Sequence, residues 1–275
     1  MKELTLALLQ NKVVYDNTQN YTNIEKMIRD SQQNQQIGLA LLPEHWYFID
    51  VTSRDFFKNI QEKRGEYYQF CRSLSEKYQI PLISGALWEF ESGFSKPVIN
   101  AYYFNEEGKE IFCQKKIHLY GFEKSMFDKG SELIIYKDPK MDISFSILIC
   151  FDVAFYETPR LATLNGAELL LSPTLIRETG LENWDIYLKA RALENRIPIA
   201  ACNSVFELTD RKYLGKSKII GFKEGSESPF ILNVKEAGSG NEILISTLNI
   251  AFPSSIRKNR LEESVNINEI KITKI

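Results

Sequence analysis

Residues 143–149, Ile-Ser-Phe-Ser-Ile-Leu-Ile, form an apolar and β-branched run that stops at Cys150. A run of this length between polar residues predicts a buried strand. Residues 37–43, 168–172 and 197–202 predict further buried strands. Strands that are apolar without alternation are covered on both faces, which calls for helices packed over the sheets. Helical patterns stand where that cover is needed. Asp16 and Asn17 offer caps for a helix through about Arg29, and Tyr67, Phe70, Cys71, Leu74 and Tyr78 recur at helical spacing. The segment from Tyr156 reads as the opening of a third helix, and 183–196 as a fourth, capped by Asn183 and stopped before Pro198.

Leu4, Leu6 and Leu8 suggest a first strand, and Pro81 starts another through Trp88. Asn100–Phe104 and Glu110–Lys116 are strands joined by Asn-Glu-Glu-Gly, a hairpin turn. Beyond residue 203 the apolar runs at 218–222, 229–234 and 243–248 look β-rich, and from about 253 the chain reads as a polar tail. With no internal repeat or low-complexity linker, the expectation is one α/β domain over residues 1–275.

Composition narrows the partners. The net charge of −2 with scattered Lys and Arg gives no basic stripe for nucleic acid and no polybasic membrane patch. Small molecules are the expected partners. Four cysteines, at 71, 113, 150 and 202, lie far apart beside only two histidines, His45 and His118, so no zinc or disulfide framework is expected. The first ten residues read as a strand rather than a signal peptide, and no apolar stretch is long enough to span a bilayer, so a cytoplasmic protein is expected.

Glu44, Lys116 and Cys150 stand at the C-terminal ends of three of these strands, the edge where α/β folds bind ligands. A cysteine at a strand-to-helix turn is favoured as a thiolate by the helix dipole and by free backbone N–H groups. The surrounding blocks are Leu-Pro-Glu44, Lys116-x-His-Leu-Tyr, Ile-Cys150-Phe-Asp152 followed by Glu157, and Ala-Arg191-Ala-Leu-Glu194-Asn195. In this order and spacing they resemble the signature blocks of the nitrilase, or carbon–nitrogen hydrolase, superfamily from Gln10 to about Phe222.

The resemblance implies a four-layer α-β-β-α sandwich, a homodimer or higher homo-oligomer, and hydrolysis of a small amide to acid and ammonia without metal or organic cofactor. It implies Glu44 as general base, Cys150 as nucleophile forming a thioester, and Lys116 with the Phe151 backbone N–H as oxyanion donors. Glu123 falls in a stretch, Glu123-Lys-Ser-Met-Phe127-Asp-Lys129-Gly130, like the family's Glu-x-x-x-Phe-x-Pro-Gly loop, with Lys129 in place of proline. A positioning role beside Lys116 follows for it. Trp46, Tyr120, Phe127, Ala154, Phe155, Thr174 and Arg177 are candidates for substrate contact. Alternatives are N-carbamoyl hydrolysis and a catalytically silent binding or regulatory subunit.

Ala154 stands where relatives acting on carboxylate-bearing substrates often have arginine. The pocket beside Phe151 and Phe155 is therefore expected to be apolar, and the substrate neutral or cationic, unless Arg177 swings in to restore a clamp.

Overall fold

The computed structural model describes residues 2–33, 35–49, 60–208, 210–226, 230–265 and 269–273. Two sheets face each other across a common core. In spatial order the first contains Glu242–Asn249, Glu3–Gln10, Leu39–Leu41, Leu82–Ile83, Val98–Phe104, Leu87–Phe90 and Gln61–Glu62, with Glu110–Lys115 also paired to Val98–Phe104. The second contains Leu232–Glu236, Lys218–Phe222, Ile199–Asn203, Leu169–Thr174, Ile143–Ile147 and Tyr136–Asp138.

The strands in the middle of the second sheet show why their sequences are mostly apolar. Leu148, Leu170, Ile199 and Ala201 pack against Ala162, Trp184 and Leu188 of the helices Glu157–Leu164 and Leu181–Asn195. Their neighbours Ile147, Leu169, Leu171 and Ala200 turn to the core shared with the first sheet. Alternate side chains leave a strand on opposite faces, so a two-sided burial requires both sets to be apolar. Helices Asn17–Ser31 and Glu66–Tyr78 cover the outer face of the first sheet, which completes the four-layer α-β-β-α sandwich. Asp16 caps the first of these helices by accepting from the Thr18 and Gln19 N–H groups, and Cys71 is wholly buried.

The structure departs from the sequence reading at four places. The strand expected through Trp88 is broken into Leu82–Ile83 and Leu87–Phe90, because Gly85 takes φ +73° and turns the chain sharply. The helix 183–196 begins earlier, at Leu181 after Gly180, so Asn183 is not its cap. A two-stranded hairpin, Val205–Leu208 with Arg211–Leu214, occupies a stretch to which the sequence reading gave no element. The polar tail is in part a helix, Ala251–Glu262. It docks through Arg257, whose guanidinium donates to the carbonyls of Arg196, Ala167 and Glu168. Its charge had disguised that burial. Pro229, expected within a strand, and residues 266–268 and 274–275 of the expected tail lie outside the described residues. Among the described residues no helix is long and apolar enough to cross a membrane.

Candidate active site

Glu44 follows the short strand Leu39–Leu41, and its backbone N–H donates to the Thr174 carbonyl at 3.2 Å, tying the end of one sheet to the end of the other. The turn is held on both sides. Asn11 donates to the Trp46 carbonyl at 2.9 Å, and the Ser204 hydroxyl donates to the His45 carbonyl. Glu44 is thereby fixed with its carboxylate buried.

Lys116 leaves the strand Glu110–Lys115 with its N–H on the Ile99 carbonyl at 2.9 Å and its own carbonyl accepting from Gly130 at 2.7 Å. Gly130 is required by this approach, since a Cβ there would lie 2.9 Å from the Lys115 carbonyl oxygen. The Lys116 Nζ donates to Glu44 Oε1 and to Glu123 Oε1, each at 2.8 Å. Glu123 Oε2 accepts the Tyr120 N–H at 2.8 Å. The ammonium and both carboxylates are all buried, at 1%, 3% and 6% exposure for Lys116, Glu44 and Glu123. Burial drives the Glu123 carboxyl above the ordinary glutamate range, with Lys116 pulling against it and Glu44 adding to the rise. For Lys116 burial works downward, but the neighbouring Glu44, Cys150 and Glu123 outweigh it and the ammonium is held charged.

Cys150 opens a 3-10 turn, Cys150–Ala154, with φ +48°, a conformation that non-glycine residues adopt only where the surroundings impose it. Here the surroundings are specific. The buried Asp152 carboxylate accepts from the Ile149 N–H at 2.9 Å with one oxygen and from the His118 N–H at 2.7 Å with the other, which also meets His118 Nδ1 at 3.0 Å. The turn that opens with Cys150 is thus fastened to the segment that carries Lys116. From the outer layer, Arg191 Nε and a terminal nitrogen donate to the Val153 and Ala154 carbonyls at 3.1 and 3.0 Å while pairing with Glu194 at 3.0 Å. Burial holds the Cys150 thiol well above its usual range, Glu44 adds to this, and Lys116 and the Leu175 backbone N–H only partly oppose it. The resting group is therefore a thiol. The α-helix begins only at Glu157, too far on for its dipole to alter this.

A cavity of about 340 Å³ opens over these groups. Its wall includes Glu44, Glu123, Cys150, Phe151, Tyr120, Ala154 and Arg177, as the sequence suggested. Four other candidates sit one layer behind it. Trp46 packs among Tyr21, Tyr67 and Phe70 and donates its indole N–H to the Ser84 carbonyl at 2.7 Å. Phe127 backs Trp88 at 4.8 Å, Phe155 stacks on His118 at 4.2 Å, and the Thr174 hydroxyl donates to the Cys202 carbonyl at 3.0 Å. Lys116 lies behind the wall, its ammonium on the wall residues Glu44 and Glu123. The wall also holds residues that sequence reasoning missed, among them His45, Tyr47, Trp88 and the hairpin residues Phe206 and Tyr213. His45 packs against Tyr47 and Trp88, and burial pushes its pKa down to about 4. Its place directly after Glu44 was the available signal.

Residues 5–224 match the model of the family described as carbon-nitrogen hydrolase. The chain belongs to that family. It is 36% identical over 197 residues to a probable nitrilase of Schizosaccharomyces pombe, covering 69% of this chain and 70% of that one. It is 26% identical to the omega-amidase Nit3 of Saccharomyces cerevisiae, over 86% of this chain and 82% of the relative. The crystal structure of that Nit3 superposes with a TM-score of 0.81 at 23% identity, covering 98% and 97% of the two chains, which supports the nitrilase fold. A variant of an amidase from Nesterenkonia sp. AN1 superposes at 0.74 with 26% identity, covering 94% and 95%; in that protein the acetamide moiety of fluoroacetamide is added covalently at the active-site cysteine.

Proposed function

We propose that this carbon–nitrogen hydrolase cleaves a small non-peptide amide to an acid and ammonia through Glu44, Lys116 and Cys150. The observation that carries the reading is the Lys116 ammonium held at 2.8 Å by both Glu44 and Glu123 beneath a cavity into which Cys150 faces. A buried cation with two carboxylate partners is pre-positioned for charge that develops above it. Because the thiol is protonated at rest, attack on the amide carbon is coupled to transfer of the thiol proton to Glu44. The oxyanion of the tetrahedral intermediate is met by Lys116 and the Phe151 N–H. Collapse expels ammonia, which takes the proton from Glu44, and leaves a thioester on Cys150. Water, deprotonated by Glu44, then releases the acid and restores the thiol. Glu123 shares the ammonium and holds it in place.

Self-association is part of the proposal. Leu161, Leu164 and Ile186 are exposed on the two helices over the second sheet, a suitable face for a second copy of the chain.

The test is ammonia release across a panel of amides, N-carbamoyl compounds and nitriles, with each cysteine changed to alanine in turn. Cys150→Ala is expected to abolish turnover. Cys71, Cys113 and Cys202, whose thiols burial raises, are expected to be dispensable for it. Comparable activity in Cys150→Ala defeats the mechanism.

A further inference from the structure

The steps proposed above use Glu44, Lys116 and Cys150 and leave His45 without a task. It follows Glu44 directly in the chain and lines the same cavity at 9% exposure. Its ring is clamped, edge-on to Trp88 at 4.6 Å and stacked beside Tyr47 at 5.5 Å, while its carbonyl accepts from the Ser204 hydroxyl. An imidazole held on both sides and through its backbone keeps one orientation.

Burial keeps the ring neutral, and its hydrogen bond to the Tyr47 backbone fixes where the proton sits. That bond makes the ring more basic, as a carbonyl accepting a ring N–H does. A neutral imidazole has one N–H and one lone-pair nitrogen. With the N–H on Tyr47, the lone pair is the polar group left for the cavity, and among the described residues nothing donates to it.

The surroundings set what that lone pair meets. The ring lies within electrostatic reach of both Glu44 and Lys116. In the mechanism above Glu44 gives its proton to the departing nitrogen, so that nitrogen lies against Glu44 and turns its N–H groups to other parts of the wall. Carboxylate oxygens there are largely taken, Glu44 Oε1 and Glu123 Oε1 by Lys116 and Glu123 Oε2 by the Tyr120 N–H. An amide N–H buried without an acceptor forfeits the hydrogen bond it had in water.

We propose that His45 contacts the substrate, its lone-pair nitrogen accepting a hydrogen bond from the N–H of the scissile amide, and that it thereby selects amides over esters of the same acyl chain. This deepens the amidase reading and rests on it. An ester oxygen has no proton to donate and would set one lone pair against another. The contact tightens as the reaction proceeds, because the nitrogen takes the Glu44 proton during collapse and its N–H groups become stronger donors. His45 itself neither gains nor loses a proton, so its removal is expected to lower kcat as well as raise KM.

The experiment compares kcat/KM for pentanamide and methyl pentanoate, which share an acyl chain, in the wild type, His45→Phe and His45→Gln. The amide-to-ester ratio, taken relative to wild type, cancels the intrinsic reactivity of the two bonds. His45→Phe keeps a ring between Trp88 and Tyr47 without an acceptor, and is expected to lower the ratio by roughly tenfold or more. His45→Gln, whose side-chain oxygen accepts, is expected to hold it within about threefold. A smaller change in His45→Phe, or an equal loss of both activities, marks a structural residue and overturns the proposal. A second readout leaves His45 in place. The chain has two histidines, His45 and His118, so ring-nitrogen NMR of Cys150→Ala grown on isotopically labelled histidine resolves each, with His45→Gln assigning the signals. Saturating pentanamide is expected to shift the lone-pair nitrogen of His45 and methyl pentanoate to leave it in place; no amide-specific shift overturns the proposal. Such a shift in a protein whose wild type hydrolyses no amide would sink the amidase reading and sustain the contact. Hydrolysis without the shift would do the reverse.

Discussion

Replacing Lys116 by methionine keeps the length of the side chain and removes its charge, which isolates what the ammonium does. The structure supplies the magnitude. Two carboxylates at 3% and 6% exposure each lose a 2.8 Å charge-assisted hydrogen bond and are left facing one another without a cation. Breaking a buried ion pair by deleting one partner costs about 3–5 kcal/mol, on the order of 10 °C in Tm for a chain of this size. The sign with pH follows from the Glu123 carboxyl, which is already raised above its ordinary range by burial. Removing Lys116 takes away the main influence pulling it down, so the folded protein holds a proton more tightly than the unfolded chain. Stability from such a group is complete below the unfolded value and is lost as pH rises through the folded one. Lys116→Met is therefore expected to be most destabilised near pH 8 and to recover toward pH 5, while kcat falls roughly 10²-fold or more with the lost oxyanion donor. Urea unfolding of wild type and variant across that range, with ammonia release as the activity assay, decides it. A deficit below about 1 kcal/mol at pH 8, or one flat in pH, would refute the buried-charge argument. Adding Glu123→Gln should restore part of the stability and none of the turnover.

Gly85→Ala is expected to cost about 2 kcal/mol or more in urea unfolding and to lower kcat, because the residue has φ +73° and its Cβ would sit 2.1 Å from the carbonyl oxygen of Pro43, the neighbour of Glu44; stability within 0.5 kcal/mol of wild type would show that the turn yields freely. His45, whose pKa burial depresses to about 4, stays neutral in the folded protein while the unfolded chain takes up a proton near the usual 6.5. Stability should consequently fall on acidification from about pH 6.5 to 4, by on the order of 3 kcal/mol at most. His45→Gln should lose that slope, so that its stability relative to wild type improves on acidification, and a variant with an unchanged slope would place the histidine in a solvated setting.

The layers were legible because two-sided burial writes itself into a strand as a mostly apolar run. Residues 143–149 and 168–172 show this, and the same logic located Glu44, Lys116 and Cys150 at strand ends that the sheets then bring together. Elements stabilised by contacts distant in sequence were hidden. The helix Ala251–Glu262 carries few apolar residues and is held by Arg257 reaching three carbonyls 61 to 90 residues away, so its sequence reads as solvated tail. Gly85 breaks a strand pattern that is continuous in apolar character, since the break is set by backbone conformation and by the nearness of Pro43.

Within the site, residue type announced chemistry and did not announce direction. Trp46 lies two residues from Glu44, yet its indole is turned to the Ser84 carbonyl and the aromatic core, while the intervening His45 takes the place in the cavity wall. The same limit applies to charge. A lysine near a cysteine suggests a resting thiolate, but two carboxylates claim that lysine first, and with the sulfur buried the thiol form wins. The arrangement then has a chemical consequence. A stable thiolate–ammonium pair would need no base for attack, whereas in the proposed mechanism a thiol beside Glu44 hands that residue the proton that the departing ammonia requires one step later.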